Sequence, residues 1–175
     1  MFSPVDRDLV RGWPGRIEGE RVIQLAAQTL QAFFTGGGQA REHAEYPLRE
    51  VVLRAPVLHP PSVRIFDGDD FRFANPAAIV RADAEIPLPA GATELVPVQR
   101  RAAIVGGGGA IGGFTPLVEW TAPQLAGAKS RDFALALGPF VTTSDEGAPA
   151  GVDWDRLVAH AAANTHLLPG DVIAA

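Results

Sequence analysis

Nineteen glycines and fifteen prolines are spread through only 175 residues, and this density of backbone punctuation limits the fold more than any other feature. Proline fixes φ and lacks an amide donor, while glycine readily leaves the helical region, so neither sustains long helices. The pattern argues against a helical bundle and for many short strands joined by tight turns. Hydrophobic residues make up 47% of the chain, enough to build a core, and charged residues 20%, too few for a solvated disordered polymer. The length suits one domain, or one domain with a small attached lobe.

Short apolar runs bounded by Pro, Gly or Asp supply the expected strands: Val51-Val52-Leu53, Ala77-Ala78-Ile79-Val80, Ala102-Ala103-Ile104-Val105, Gly113-Phe114-Thr115 and Phe140-Val141-Thr142-Thr143. Upstream of these, residues 1–52 read as a small lobe. Arg16 to Ile23 forms two strands around a glycine turn, and Leu25 to Phe34 a helix with Ala26, Leu30, Phe33 and Phe34 on one face. Gly36-Gly37-Gly38 ends that helix, and Gln39 to Glu50 is a polar connector with one helical turn at most. Near the other end, Asp153 caps a helix whose face is Trp154, Leu157, Val158, Ala161, Ala162 and Thr165. Pro169-Gly170-Asp171 is a turn, and Val172-Ile173 a last strand.

Several function classes drop out. The net charge is −5, which does not attract phosphate backbones, so no nucleic-acid partner is expected. There is no cysteine, hence no disulfide, thiolate nucleophile or zinc–sulfur site. The first residues do not read as a signal peptide, and no apolar run is long enough to span a bilayer, so a cytoplasmic protein with no membrane partner is expected. Gly107, Gly109 and Gly112 satisfy a G-x-G-x-x-G spacing, but Gly113-Phe114-Thr115-Pro116 reads as strand where a dinucleotide site needs a helix, so a glycine-rich β-turn is the reading. Asp67-Gly68-Asp69-Asp70 lacks the alternating ligands of a calcium loop and reads as a solvated turn. His43, His59, His160 and His166 include no i, i+4 metal pair and read as ordinary histidines; no G-x-S-x-G elbow is present.

Several ordered segments carry a resemblance. Ala55-Pro56-Val57-Leu58-His59-Pro60-Pro61-Ser62-Val63-Arg64 looks like the entry into the catalytic domain of fumarylacetoacetate hydrolase-type proteins. Phe71 to Ile79 is similar to that family's F-x-F-x-N-P-A-A-I, and Ala110 to Thr115 resembles its A-I-x-G-Y-T. Lys129-Ser130-Arg131-Asp132-Phe133-Ala134 with Leu137 to Thr142 resembles its K-x-x-D-F-A and L-G-P-W-x-V-T. Leu168 to Ile173 resembles its L-x-P-G-D-V-I. The resemblance implies an α+β, β-rich fold: a mixed β-roll over 53–175 with a small N-terminal αβ lobe over 1–52, usually as a homodimer.

Members of this family hold Mg²⁺, Mn²⁺ or Ca²⁺ through carboxylates and act as hydrolases or decarboxylases on C–C bonds of small oxo-acids such as acylpyruvates. Hard cations of this kind need several oxygen ligands. Carried onto this chain, the positions of the family's two strand glutamates are Val98 and Arg100, and that of the aspartate after S-V-R is Ile65. Glu119 in Val118-Glu119-Trp120 is the only retained ligand position, and the arginine of the family's S-A-R-D becomes Pro123. The resemblance further implies that a lid between Arg64 and Phe71, a stretch between Thr143 and Asp153, and a terminal T-G-T-P loop are missing. Lys129, the only lysine, survives where the family places a substrate-contacting lysine.

The expectation is therefore a protein without a catalytic metal or other cofactor. Two arrangements of the vacated site are open: Arg100 and Glu119 face each other as an ion pair, or Arg100 points to solvent while apolar side chains such as Val98 fill the space. Two function classes are open as well. A metal-independent enzyme would use Arg100 and Lys129 to bind a small carboxylate, with Lys129 and Glu119 as catalytic residues. A catalytically silent relative would bind a small acid or support a partner.

Overall fold

A computed structural model of the protein describes residues 1–7 and 9–175. In chain order the elements are β1 (Phe2–Pro4), β2 (Gly15–Glu18), β3 (Arg21–Leu25), α1 (Leu30–Thr35), β4 (Glu42–Pro47), β5 (Val51–Leu53), β6 (Val63–Asp67), β7 (Asp70–Ala74), β8 (Ile79–Arg81), β9 (Val96–Val105), β10 (Ile111–Thr121), β11 (Leu135–Leu137), β12 (Thr142–Thr143), α2 (Trp154–Ala162) and β13 (Val172–Ala174). The fold is β-rich and mixed, as the glycine and proline density requires.

The large sheet runs in the order β7-β6-β13-β9-β10-β11-β8, with β12 beside β10. The β13–β6 and β11–β8 pairs are parallel and the others antiparallel. Its middle is buried on both faces because the strands there are apolar at consecutive positions rather than alternate ones. One face gathers Val63, Ile65, Ile104, Leu117, Leu135, Leu137 and Val172. The opposite face gathers Phe66, Ala103, Val105, Phe114 and Ile173 under Trp154, Leu157 and Ala161 of α2. Asp153 starts α2 by accepting from the Arg156 amide at 3.1 Å, which satisfies one of the donors a helix start leaves open.

A three-stranded sheet β2-β3-β4 and the β1–β5 pair complete the strands. Here two sequence expectations are corrected. The first helix is confined to Leu30–Thr35, because Leu25 is taken up by β3 and Thr29 caps the helix by accepting from the Ala32 amide. The expected connector contains β4, whose charged residues concealed it: Glu42 reaches across β3 to Arg16 on β2 (2.6 Å), and Glu45 meets Arg21 of β3 (3.0 Å). Thr165 lies past the end of α2, and the expected strand at Phe140–Thr143 shrinks to Thr142–Thr143.

The glycine-rich segment after β9 is a turn leading into β10. Gly112 lets α1 approach it: a Cβ there would stand 2.7 Å from the Phe34 ring. Gly112→Ala is expected to cost about 1–3 kcal/mol by overpacking. Urea denaturation should show a much smaller cost for the same change in a Phe34→Ala background, since contacting residues are not additive.

Candidate functional site

β9 and β10 pair with Arg100 opposite Leu117 and Val98 opposite Glu119. Arg100 and Glu119 are therefore diagonal neighbours on one face, close enough for long side chains to meet. It is the face of Ile104, Ala102 and Leu117, because side chains alternate along a strand. Ile65 lies in the same core cluster and is paired with Arg72 across the β6–β7 hairpin. The positions that the resemblance aligns with metal-binding acids thus converge on one face of the sheet, as Ile65, Val98, Arg100 and Glu119.

Of the two arrangements expected for this place, the ion pair is the one present. Glu119 is completely buried, and its Oε2 accepts from Arg100 Nε at 3.0 Å. Its Oε1 accepts from Arg72 Nη2. Arg100 also donates from Nη2 to Asp67 Oδ1 at 2.8 Å and from Nη1 to the Phe66 carbonyl at 3.2 Å. Arg72 Nε donates to Asp67 Oδ2 at 3.3 Å. The four side chains close a ring in which each carboxylate bridges both guanidiniums. Formally it carries no net charge, which is the condition for burying ions without a large desolvation penalty.

Strand geometry explains the reach of Arg100. β13 lies between β6 and β9, with Ala174 opposite both Ile65 and Ala102, and the strand ends there. One step further on the same face, the Arg100 side chain crosses from β9 to the end of β6. Burial pushes the Asp67 carboxyl upward, but the adjoining Arg100 and Arg72 guanidiniums outweigh it and hold that carboxyl below its ordinary value.

Lys129 stands apart from this cluster. It lies in a single helical turn, Gly127–Ser130, with its side chain 80% exposed and its ammonium 2.8 Å from Asp132. The structure therefore brings Arg100 and Glu119 together and leaves Lys129 outside, and Pro123 is exposed. Arg72 and Asp67 are the members that sequence reasoning missed. The alternation Phe71-Arg72-Phe73 carried the signal, since a strand with two aromatics on one side aims the arginine to the other. Asp67 to Asp70 is indeed a turn, but a paired one: Asp69 meets Arg156 at 3.0 Å and Asp70 meets His160 at 3.3 Å, both from α2. His160 also packs edge-on against Phe66 and Phe71, closer to the sheet than a plain surface histidine.

A second buried polar group lies on the opposite face. Asp171 accepts from Ser62 Oγ and from the Leu168 amide, both at 2.7 Å, and lies 3.5 Å from Arg64 Nη1. The Arg64 guanidinium lies over the Phe73 and Phe71 rings. These contacts tie the turn before β13 to β6 and serve the fold. Among the described residues, no group of three or more His, Asp or Glu is placed to hold a metal ion, and no helix is long and apolar enough to cross a membrane.

No protein-family model matches the chain, and no curated protein matches it. Solved structures do share its fold. Maleylpyruvate hydrolase from Sphingobium sp. SYK-6 superposes with a TM-score of 0.76 at 18% identity, over 94% of this chain and 85% of that one. The same enzyme in complex with manganese(II) and pyruvate gives 0.75 at 19% identity, over 94% and 84%. A 5-carboxymethyl-2-hydroxymuconate delta-isomerase from Mycobacterium smegmatis gives 0.73 at 18% identity, over 99% and 85%. The chain has the fold of fumarylacetoacetate hydrolase-type proteins.

Two outcomes follow for the ion cluster. Arg100→Met removes one partner of a fully buried carboxylate, and urea denaturation is expected to show a loss of about 3–5 kcal/mol. Because the folded Asp67 carboxyl lies below its ordinary value of 3.8, its stabilisation is complete above that value and is lost as the pH falls through the folded one. Asp67→Asn should therefore flatten the acid limb of a plot of Tm against pH.

Proposed function

We propose that this protein is a non-catalytic relative of fumarylacetoacetate hydrolase-type enzymes, acting by binding a partner or a small acid rather than by turnover. The observation that carries the reading is the state of Glu119: the one retained acid is completely buried, and both its oxygens are held by guanidiniums. A general acid or base must come within hydrogen-bond reach of a substrate proton. Glu119 exposes no surface through which that could happen.

The cluster does not fit a divalent cation either. Such an ion needs several free oxygen ligands. The aligned positions offer Ile65, Val98 and Arg100, and the two nearby carboxylates, Glu119 and Asp67, are both occupied by Arg100 and Arg72. The manganese and pyruvate seen in the Sphingobium enzyme therefore have no counterpart set of ligands here. Arg100 is also poorly placed to bind a substrate carboxylate, since all three of its nitrogens already donate to protein oxygens.

One observation favours a second reading, a metal-independent hydrolase or decarboxylase: Lys129 is open to solvent and could meet a small acid. Purified protein assayed with acylpyruvates and oxaloacetate, with and without Mg²⁺ or Mn²⁺, is expected to show no turnover above background. Calorimetric titration with MnCl₂ is expected to show no stoichiometric binding. Turnover that disappears in Lys129→Ala or Glu119→Ala would establish the enzyme instead. A homodimer built through the β-structure belongs to the same proposal and is checked by sedimentation of the same sample.

A further inference from the structure

We infer that the outer edge of β7 joins two copies of this chain, each β7 pairing antiparallel with the other about a twofold axis at Phe73. The inference rests on the homodimer named above and deepens it, by assigning the strand and the register through which the sheet continues.

β7 is the last strand at one end of the large sheet, and among the described residues nothing pairs with its outer side. The β6–β7 hairpin turns through Gly68 and Asp69, with Asp67 opposite Asp70. The pair that closes so short a turn is hydrogen-bonded, and hydrogen-bonded pairs alternate along an antiparallel ladder. Asp70, Arg72 and Ala74 therefore turn their backbone groups to β6, while Phe71 and Phe73 turn theirs outward. The Phe71 amide agrees with this alternation, because it donates to the Asp70 side chain at 2.8 Å rather than to β6. The Phe73 N–H and C=O have no such partner among the described residues.

Native sheets guard an open edge with charged side chains, proline or a cover. β7 has no such guard at Phe73. Its one basic residue, Arg72, is turned inward to Glu119 and Asp67, and Phe73 itself is 66% exposed. Free backbone groups beside an exposed aromatic are what strand addition covers.

The register follows from the strand's own residues. With the axis at Phe73, each Phe73 N–H donates to the carbonyl of the partner's Phe73. Arg72 then lies opposite the partner's Ala74, and Phe71 opposite the partner's Asn75. An axis at Arg72 would oppose two arginines, which is unfavourable. An axis at Phe71 would call on an amide that Asp70 already holds. Each Phe73 ring is backed within its own chain by the Phe71 ring, 5.4 Å away, and by the Arg64 guanidinium, 5.3 Å from its centroid. The two Phe73 rings meet across the axis and cover one another, a favourable aromatic pair on opposed strands. Such a contact uses the same patch on both copies, so it closes as a dimer and does not run on as a filament.

Phe73→Pro tests the edge with little demand on the monomer, since proline is tolerated where the N–H of an edge strand faces solvent. Sedimentation velocity is expected to show a dimer for wild type and a dimer Kd weakened about tenfold or more in Phe73→Pro, with the circular-dichroism spectrum of the fold retained. Phe73→Cys tests the register. The chain has no cysteine of its own, and hydrogen-bonded antiparallel pairs hold their Cα atoms about 5.5 Å apart, within reach of a disulfide. Mild oxidation should crosslink Phe73→Cys and leave Phe140→Cys, an exposed aromatic position away from β7, uncrosslinked on a denaturing, non-reducing gel. A folded Phe73→Pro that dimerises like wild type, or equal crosslinking of the two cysteine variants, overturns the β7 assignment and leaves the homodimer standing. Should Phe73→Pro not fold, the crosslink alone decides. A monomeric wild type overturns both, whether the edge stays open or takes a strand of another protein. Failure of the non-catalytic reading appears separately, as turnover.

Discussion

A carboxylate buried without access to water is among the most demanding groups a small protein can carry. Left alone it would cost several kcal/mol or take up a proton. Glu119 sits in that position, at the point of β10 where the apolar row of Leu117 gives way to polar residues. Much of the surrounding arrangement follows from it. Arg100 must lie on the same face of the neighbouring strand, and Arg72 must be brought over from a strand three places further along the sheet. Two guanidiniums on one carboxylate would leave an excess positive charge, and Asp67 restores the balance from the hairpin turn.

The hairpin is held from both sides for the same reason. Asp67 faces the ion cluster, while Asp69 and Asp70 face Arg156 and His160 on α2, one helical turn apart. The turn thus addresses the core cluster through Asp67 and the helix through Asp69 at its tip and Asp70 at the start of β7. The exposed contacts to α2 contribute little individually. Their effect is to fix the turn that carries Asp67, and thereby the geometry around Glu119.

How much of this was legible in the sequence depends on the range of the contacts. The strand at Ala102–Val105, the last helix with its Asp153 cap and the glycine turn before β10 are set by local apolar spacing and turn chemistry, and they are present, though the strand begins earlier, at Val96, and the helix ends at Ala162, short of Thr165. β4 was hidden because Glu42, His43 and Glu45 look like a solvated connector until Arg16 and Arg21 are placed beside them. The first helix was overextended because Leu25 and Ala26 continue its apolar spacing, and only the β3 register removes them. Within the site, the pairing of Arg100 with Glu119 was one of two open arrangements. For Arg72 the alternation of Phe71-Arg72-Phe73 gave only the face of the strand; that this face meets Glu119, 47 positions away, and that Asp67 joins them, depends on long-range sheet order.

The same range argument bears on what the cluster does for specificity. An apolar face accepts a register slip at modest cost, whereas a slip of one residue in β9 would turn Arg100 to the opposite face and leave Glu119 short of a partner. The penalty for an uncompensated buried ion is larger than the net gain from forming the pair. The network therefore acts chiefly against wrong pairings of β9 with β10 and of β6 with β7, rather than as a source of stability. A metal would do this less selectively, because an ion tolerates many oxygen arrangements, while a planar guanidinium with fixed donor directions tolerates few. The fixed donor directions of Arg100 therefore favour the one register of β9 against β10 in which its Nε meets Glu119.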